Sequence, residues 1–263
     1  MIIDTHAHLN YFEFDSDREE LIQKCLDKGY KIINVGTNIE SSEKCIEISS
    51  LFKEGVFSAV GLHPSNIVSS LKGSFEKRED FFDYDYYKKL AKLSKVVAIG
   101  EIGLDYWYRP KSKNKRIDFI SKQKEIFQKQ IDLAKELNLP IIIHCRSAFE
   151  DLIEILSSRK TRGVIHCFTG TKEEAKKLLD LGYYLGFNGI IFKVDLLEVL
   201  KMIPIERVLL ETDCPYLSPP NFEERNNPLS LSIIVEEISK IKNISPEFIM
   251  EKTTLNAEKL FKI

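Results

Sequence analysis

The sequence predicts an α/β protein, a single (β/α)8 barrel of the TIM type, and three observations lead to this prediction. Eight short apolar, β-branched segments recur along 263 residues, and amphipathic helical segments separate them. The apolar segments are nearly continuous, which is typical of parallel strands buried on both faces. Eight strand–helix units in about 250 residues match the size of a barrel. A doubly wound open sheet is the alternative, because the pattern does not show whether the sheet closes.

The predicted elements follow one another in regular order. The strands are residues 1–5, 31–36, 56–61, 96–101, 140–144, 163–167, 183–187 and 207–212. The clearest helix is 116–138, which carries one apolar stripe. Thr171 and Glu174 form the pattern of a capping box at the start of a later helix. Ser245 as N-cap and Pro246 at the first position predict the start of the last helix.

The whole chain, residues 1–263, is predicted to be one TIM-type barrel domain, because no linker or low-complexity tract divides it. Segment 65–95 is a longer insertion after the third strand, with its own helix around DYDYYKKLAKL. No apolar run is long enough for a transmembrane helix, and the N-terminus lacks the features of a signal peptide. Five widely spaced cysteines without a C-x-x-C pair indicate reduced thiols and a cytoplasmic location.

The net charge of −2 lacks the basic excess of a protein that coats DNA, so any attraction for nucleic acid must be local. One loop after the fourth strand, YWYRPKSKNKR at 106–116, offers such an attraction. Tyr106, Trp107 and Tyr108 could stack on unpaired bases while Arg109 and the neighbouring cations follow the backbone. An ordinary solvated loop with a buried tryptophan is the alternative interpretation.

Every histidine of the chain falls near the end of a predicted strand. His6 and His8 end the first strand, His63 the third, His144 the fifth and His166 the sixth, while Glu101 ends the fourth and Asp213 the eighth. The carboxyl ends of barrel strands share one face, which holds the active site. Each residue alone is more typical of a hydrogen-bonded core residue, a salt bridge or a helix cap. Together they would bury many polar groups at a high cost unless something neutralised them.

A pair of divalent metal ions would satisfy such a cluster, since imidazole and carboxylate suit Zn, Mn, Ni or Fe, and carboxylate suits Mg. At the N-terminus, strand alternation predicts that Asp4, His6 and His8 point to the same side. The same alternation predicts that the cysteines following three of these residues point away from the site. These are Cys145, Cys167 and Cys214, which we expect to be packed residues and not ligands.

Six motifs occur in order along the chain: DTHAH, GLHP, GEIGLDY, IIIHCR, HCFTG and ETDCPYL. They resemble the successive motifs of the TatD-related metal-dependent deoxyribonucleases, within the amidohydrolase-like metal hydrolase superfamily. The resemblance runs from residue 1 to the closing NAEKLF and implies a TIM-type barrel with two divalent metal ions, such as Mg, Mn or Zn. Carried over by motif, one metal would be held by His6, His8, Glu101 and Asp213. Glu101 would bridge to a second metal, held also by His144 and His166.

Two positions depart from the family pattern. Ser65 stands where the family often has a further histidine, two residues after His63. Asn227 stands where the family tends to have a carboxylate, in R-N-E-P. The second departure puts substrate preference or rate in question, and leaves the expected metal centre intact.

The expected centre suits phosphodiester hydrolysis, because two metals can activate a bridging water and polarise a phosphoryl oxygen. We assign Asp213 as the general base on that water, since its carboxylate lies at the metal centre. His63 and Arg146 are candidates for contact with the scissile phosphate. The guanidinium fork of Arg146 suits phosphate oxygens, and the residue lies two positions after His144, which favours the same face.

The sequence therefore favours a divalent-metal-dependent deoxyribonuclease, with 3′→5′ exonuclease action as in some relatives. Its expected substrate is DNA with single-stranded or frayed ends, with no membrane and no obligate protein partner. A hydrolase of a small ester, lactone or amide on the same barrel is the alternative. A non-catalytic metal-binding protein is a third possibility, which the complete ligand set disfavours. The basic aromatic loop favours the deoxyribonuclease over the hydrolase of a small ester, lactone or amide.

Overall fold

The computed structural model describes residues 1–67 and 82–263 and forms one sheet of eight parallel strands, ordered as in the sequence. The strands are β1 (Ile2–Ala7), β2 (Tyr30–Val35), β3 (Val56–Val60), β4 (Val96–Asp105), β5 (Ile141–Arg146), β6 (Gly163–Ile165), β7 (Tyr184–Phe187) and β8 (Val208–Leu210). Each strand pairs in parallel with the next one along the chain. The prediction of a (β/α)8 barrel is confirmed.

Hydrogen bonds that join β1 and the residue after it to β8 and the segment after it close the barrel. The Thr5 hydroxyl donates to the Leu210 carbonyl oxygen at 2.9 Å. Farther along, the Asp213 N–H donates to the His6 carbonyl oxygen at 2.8 Å, and the His8 N–H donates to the Cys214 carbonyl oxygen at 2.9 Å. A doubly wound sheet would leave its edge strands apart, so this closure excludes the alternative fold.

Helices follow the strands around the barrel. They are α1 (Arg18–Asp27), α2 (Ile39–Leu51), α3 (Pro64–Ile67), α4 (Tyr84–Ala91), α5 (Lys113–Glu136), α6 (Phe149–Ser158), α7 (Lys172–Asp180), α8 (Leu197–Met202), α9 (Leu231–Lys242) and α10 (Pro246–Phe261). The predicted capping box of Thr171 and Glu174 is present, and Ser245 caps α10 ahead of Pro246. Helix α5 begins three residues before its predicted start. Within the predicted insertion the structure contains α3 and α4, and residues 68–81 lie outside the described part.

The apolar core closes the barrel at the end opposite the strands' carboxyl termini. Inward-facing residues such as Ile3 and Val97 cluster with Leu260 and Phe261 of α10. A second, larger cluster fills the space between the sheet and the surrounding helices. Because apolar side chains fill that end, the polar residues of the barrel interior lie toward the other end, which we call the mouth.

In the described ranges, no helix combines the length and the apolar character needed to span a bilayer.

Strand β1 departs from regular alternation. Its pairing with β2 shifts register between Asp4 and Ala7, so the expectation that Asp4 points with the two histidines is wrong. The Asp4 carboxylate instead accepts hydrogen bonds from the His6 N–H at 3.2 Å and the Thr212 N–H at 3.0 Å, and from the Thr212 hydroxyl at 2.6 Å. Burial raises the pKa of Asp4 to about 7, although these hydrogen bonds act to lower it. Asp4 therefore ties β1 to the segment that follows β8.

Several strand ends differ from the prediction; β8, for example, stops at Leu210, so Asp213 lies three residues beyond it. Strand β4 continues for four residues beyond Glu101, so this carboxylate lies within the strand and not at its end. Strand β3 stops at Val60 and β6 stops at Ile165, so His63 and His166 lie just beyond their strands. Glu101, His63 and His166 nevertheless all line the cavity at the mouth.

Candidate metal centre

A cavity of about 570 Å³ opens at the mouth of the barrel. Its wall includes His8, His63, Glu101, His144, His166 and Asp213, together with Tyr11, Tyr108, Arg146 and Tyr216. His6 lies fully buried beneath it, with its ring nitrogen directed at the same carboxylates. The structure thus brings together all six residues that the motifs assign to metal binding, and also His63.

The Glu101 carboxylate lies at the centre of this group and divides it in two. Its Oε1 atom lies 3.0 Å from His144 Nδ1, 3.4 Å from His63 Nε2 and 3.7 Å from His166 Nε2. Five histidines surround the carboxylate in all, and in the described part of the chain no lysine or arginine forms an ion pair with it.

The other Glu101 oxygen faces the histidines of β1. Its Oε2 atom lies 3.5 Å from His6 Nε2 and 3.7 Å from His8 Nε2. The Asp213 Oδ1 atom approaches the same two nitrogens, at 3.8 Å and 3.4 Å. His6 Nε2 and His8 Nε2 are themselves only 3.1 Å apart, so two imidazoles and two carboxylates converge on one point.

The hydrogen bonds of the imidazoles leave their other nitrogens free to bind a cation. His8 Nδ1 donates to the Val35 carbonyl oxygen at 2.8 Å, because a carbonyl can only accept, and this leaves the lone pair on Nε2. His166 Nδ1 lies 2.9 Å from the Glu211 carboxylate, so the Nε2 atom faces inward, 3.7 Å from Glu101 Oε1. A metal-bound histidine commonly has such a partner on its outer nitrogen.

His144 is oriented in the opposite sense. Its Nε2 atom lies 3.2 Å from Asp105 Oδ2, and its Nδ1 atom faces Glu101. Asp105 and Glu211 were not assigned by the sequence, although strand periodicity offered a signal. Asp105 lies four residues after Glu101, and Glu211 lies two residues before Asp213, so alternation favours a shared face.

Glu211 is fully buried and tightly held. Its Oε1 atom accepts hydrogen bonds from the Cys167 N–H at 2.7 Å and from the Asn188 amide at 3.0 Å. A Cβ atom on Gly186 would lie 2.4 Å from Glu211 Oε2, so only glycine leaves room for the carboxylate at that position. Neighbouring backbone and side chains thus fix the carboxylate that orients His166.

The charges of the site act strongly on one another. Burial acts to raise the pKa values of Glu101 and Asp213, but the surrounding histidines outweigh it and lower both. Burial acts to lower the pKa of His144, but Asp105 and Glu101 raise it to about 9. In the same way Glu211 and Asp213 raise the pKa of His166 to about 10. The carboxylates thus attract positive charge, which a divalent cation would supply in place of protons.

The donor set fits divalent cations. Candidate ligand atoms lie within 4.8 Å of one another in the group His6–His8–Glu101, and Glu101 and His144 belong to a second such group beside His63. The Nδ1 atom of His6 is buried with no hydrogen-bond partner among the described residues. Asp213 has a φ of 55°, an uncommon and strained backbone conformation for a residue other than glycine, and such strain clusters at functional sites. The nitrogen and oxygen donors are those expected for Zn, Mn, Ni or Fe.

Cys167 does not point away from the site, contrary to the prediction. It has a φ of 46°, lies beyond the end of β6 and lines the cavity, so strand alternation does not apply to it. Its Sγ atom lies 3.7 Å from Asn188 Oδ1 and belongs to a group of possible ligands with His166 and Asp213. Cys214 is fully buried in an apolar cluster.

The residues expected to contact substrate occupy the rim near β4 and β5. Arg146 is exposed, lines the cavity and stacks over Trp107, with its Cζ atom 4.5 Å from the ring centroid. Trp107 is 59% exposed, which excludes the interpretation of a buried tryptophan. Arg109 is not part of the cavity wall. Tyr106 is buried and donates to Asp151, so the expectation that it stacks on bases is wrong.

The two departures from the family pattern have separate structural roles. The Ser65 N–H donates to His63 Nδ1 at 3.1 Å, which places the imidazole proton on Nε2, facing the cavity. Asn227 lies outside the cavity wall and is 2% exposed. Its Oδ1 atom accepts from the Leu229 N–H at 3.0 Å, so it caps a short helical turn, Pro228–Ser230.

Comparison with known proteins decides between the metal hydrolases that share this barrel. The model of the family described as TatD related DNase matches residues 3–262. The chain belongs to the TatD-related DNase family. This confirms the resemblance drawn from the six motifs, and with it the assignment to the metal-dependent hydrolases.

Several known proteins resemble the chain along its whole length. An uncharacterised metal-dependent hydrolase, YabD of Bacillus subtilis, is 38% identical over 271 residues that cover all of both chains. A protein named 3′-5′ ssDNA/RNA exonuclease TatD, from Pantoea ananatis, is 32% identical and covers 99% of each chain. The crystal structure of YjjV, a TatD homologue of Escherichia coli, superposes with a TM-score of 0.84 at 26% identity, covering 100% of this chain and 98% of that one.

Proposed function

We propose that this TatD family member is a nuclease that hydrolyses phosphodiester bonds at single-stranded ends of DNA with two divalent metal ions. The observation that carries the proposal is the position of Glu101, whose two carboxylate oxygens face two separate groups of histidines. A carboxylate in that position can bridge two cations. Two-metal sites of this kind serve in-line displacement at phosphorus.

The ligand sets follow from these contacts. One cation would be held by His6, His8, Glu101 and Asp213, and the second by Glu101, His144 and His166. Cations held there supply Lewis acidity toward a phosphoryl oxygen and lower the pKa of a water molecule. The number and identity of the ions are part of the proposal.

Asp213 is the proposed general base. Its carboxylate faces both the histidines of β1 and the cavity, and its lowered pKa keeps it ionised at neutral pH. It can therefore accept the proton of an attacking water molecule. Glu101 is also buried and ionised, but five histidines surround it, which suits a bridging ligand better than a base.

His63 and Arg146 are the proposed contacts to the scissile phosphate. Burial lowers the pKa of His63, so its ring is neutral at pH 7, and the Ser65 N–H leaves its proton on Nε2. A nitrogen that carries a proton donates to a phosphate oxygen and does not bind a metal. Arg146 approaches from the rim, where its guanidinium can donate two parallel hydrogen bonds to phosphate.

The substrate assignment rests on the rim of the mouth. Trp107 and the cations Arg109, Lys111, Lys113 and Lys115 are exposed and make this segment basic and aromatic, whereas Arg116 is half-buried and donates to the Pro110 and Lys111 carbonyl oxygens. Aromatic rings stack on unpaired bases, and cations contact the phosphates of the backbone. A relative with the same length of chain is named a 3′-5′ ssDNA/RNA exonuclease, and we extend that mode of action to this protein.

We further propose that residues 1–263 act as one catalytic unit and that the protein works in the cytoplasm. The family match spans nearly the whole chain, which supports the first point. All five cysteines are free thiols, which supports the second.

The test is turnover of 3′-labelled single-stranded DNA with added Mn²⁺, Mg²⁺ or Zn²⁺, compared with a panel of small esters, lactones and amides. We expect stepwise loss of nucleotides from the 3′ end and no comparable turnover of the small compounds. Asp213→Asn should abolish this activity, whereas Asp27→Asn, at the opposite end of the barrel, should not change it. Preferred turnover of a small ester or lactone would overturn the proposal.

A further inference from the structure

Two aromatic surfaces lie on opposite sides of the mouth. One consists of Tyr11, which follows β1, and Tyr216, which follows β8; their ring centroids lie 6.1 Å apart. The other consists of Trp107, which follows β4, and Arg146 at the end of β5, in a cation–π contact. In a closed barrel with strand order β1 to β8, the β8–β1 seam lies across the mouth from the β4–β5 pair. The metal-ligand cluster lies between the two surfaces.

The two sides carry opposite charge. Segment 106–116, beside Trp107, contains five basic residues and no acidic ones. Segments 9–17 and 214–227, beside the tyrosines, together contain five acidic residues and one basic residue, Arg225. The Arg225 Nη2 atom donates to both carboxylate oxygens of Asp17, at 2.9 Å and 2.8 Å, and Asp15 pairs with Arg18 and Lys44. Among the described residues this leaves Glu13, Glu223 and Glu224 without an ion pair on this side. A polyanion is therefore attracted to the first side, whereas the second side lacks the positive charge to hold one.

The tyrosine side is nevertheless built to hold a ring. Tyr11 stacks on the imidazole of His8, with the ring centroids 4.7 Å apart and an interplanar angle of 3°, which fixes its position beside the proposed metal site. Tyr216 is 52% exposed and lines the cavity, so part of its ring is open to a ligand. A nucleoside base can stack on such a ring without regard to its identity.

We infer that the mouth is divided into two subsites: the Trp107–Arg146 side holds the strand that is retained, and the Tyr11–Tyr216 side holds the terminal nucleotide that is released. The inference rests on the proposed nuclease function. Many phosphates of the retained strand then lie on the basic side, whereas the acidic side receives a single nucleoside. Water adds to phosphorus, the bond from phosphorus to O3′ of the retained strand breaks, and that O3′ takes up a proton. The released product is a nucleoside 5′-monophosphate.

Trp107 is the only tryptophan of the chain, so its fluorescence reports on one of the two subsites. We expect phosphorothioate oligodeoxythymidylate, which resists hydrolysis, to quench this fluorescence in the metal-loaded protein. Thymidine 5′-monophosphate, which binds across the mouth, should inhibit hydrolysis of DNA at concentrations where it leaves the fluorescence unchanged.

Kinetics of two variants separate the subsites. Tyr216→Ala should weaken inhibition by thymidine 5′-monophosphate about tenfold and lower kcat/KM for a dinucleotide and a long oligonucleotide by the same factor, because both place one nucleoside there. Trp107→Ala should lower the ratio of kcat/KM for the long oligonucleotide to that for the dinucleotide about tenfold. Tyr216→Phe keeps the ring and should restore inhibition by the mononucleotide. Phe248→Ala, an exposed aromatic at the start of α10, is the matched control.

The possible failures are distinct. If the wild-type protein cleaves neither the dinucleotide nor the oligonucleotide, the proposed nuclease function is wrong, and so is the subsite assignment that rests on it. If it cleaves DNA but Tyr216→Ala leaves mononucleotide inhibition unchanged, only the subsite assignment is wrong. Quenching of Trp107 by the mononucleotide itself would likewise overturn the assignment of the two sides.

Discussion

Asp105 Oδ2 lies 3.2 Å from His144 Nε2, on the side of the imidazole that faces away from Glu101. The other oxygen of the same carboxylate accepts a hydrogen bond from the Trp107 N–H at 2.9 Å. One aspartate thus orients a proposed metal ligand and also fixes the start of the loop that carries the exposed tryptophan. Replacing it should therefore affect the metal centre without removing a ligand.

Asp105→Asn should weaken binding of the second metal ion by about ten- to a hundredfold, because the amide no longer stabilises the oriented imidazole. Calorimetric titration with Mn²⁺ or Zn²⁺ would measure the loss at one of two binding steps. Asp132→Asn, on the exposed face of α5, is the control for loss of an aspartate. Two unchanged binding steps would show that Asp105 does not position His144.

Glu101→Ala should lower metal occupancy and kcat together while the barrel remains folded. A bridging carboxylate holds both proposed cations, and a two-metal clamp contributes several kcal/mol to transition-state stabilisation, so we expect a loss of roughly a thousandfold or more. Elemental analysis gives the occupancy, and circular dichroism must show native-like structure. A folded variant with wild-type turnover and both metals in place would rule out Glu101 as the bridge.

Neutralising the basic loop should reduce binding of DNA. Replacement of Lys111, Lys113 and Lys115 by alanine removes three cations, so the slope of log Kd against log salt concentration should fall by about two for a single strand. Hydrolysis of a small chromogenic phosphodiester should change far less. Replacing Lys252, Lys259 and Lys262 on or beside α10 alters the net charge equally and should leave the slope as it is. Equal losses on both substrates would indicate a structural role for the loop.

The stability of the metal-free protein should depend on pH through His144 and His166. Their pKa values rise from 6.5 to about 9 and about 10 because of the adjacent carboxylates. A raised pKa stabilises the folded state fully below about pH 6.5, and this stabilisation is lost as the pH rises toward 9 and 10. The Tm of chelator-treated protein should therefore fall over that range. In metal-loaded protein, cations replace these protons, so Tm should fall less over the same pH range. If Tm falls equally with and without metal, His144 and His166 are not the groups that a metal ion replaces protons on.

Asn227→Glu, which restores the carboxylate common in the family, should destabilise this protein. It removes the cap on the Leu229 N–H and places a second negative charge beside Glu224, so we expect a loss of about 1 kcal/mol in the free energy of unfolding. Urea denaturation measures this change. Metal affinity should stay the same, because Asn227 lies outside the cavity wall. A gain in turnover without loss of stability would show that the position acts on catalysis.

Much of the fold and the site could be predicted because the signals are local and repeated. Apolar runs indicate buried strands. The carboxyl ends of all strands in a barrel share one face, which brings together residues as distant as His6 and Asp213. The proposed division of the ligands between two metal ions came from the family motifs, because the spacing of the residues does not show which ligands share an ion. The strand order, the capping box at Thr171 and the cap at Ser245 were all readable in this way.

The errors arise where the backbone leaves regular geometry. The bulge in β1 depends on pairing with β2, so the position of Asp4 could not be read from its own strand. The positive φ of Cys167 reverses the direction that alternation predicts. The extension of β4 is a different case, because the apolar residues Ile102 and Leu104 continue the pattern and the strand could have been drawn longer. A longer β4 would have placed Asp105 beside Glu101 on one face.

The hydrogen bond from the Asp213 N–H to the His6 carbonyl oxygen has a consequence for biosynthesis. The seam that it belongs to joins segments as far apart as Asp4 and Thr212, which are separated by 208 positions. Joining such distant segments costs loop-closure entropy that only the nearly complete chain can offset. While the chain is still on the ribosome and β8 is inside the exit tunnel, His6 and His8 have no Asp213 opposite them. We therefore expect the proposed site of His6, His8, Glu101 and Asp213 to be completed only after the last strand has been translated.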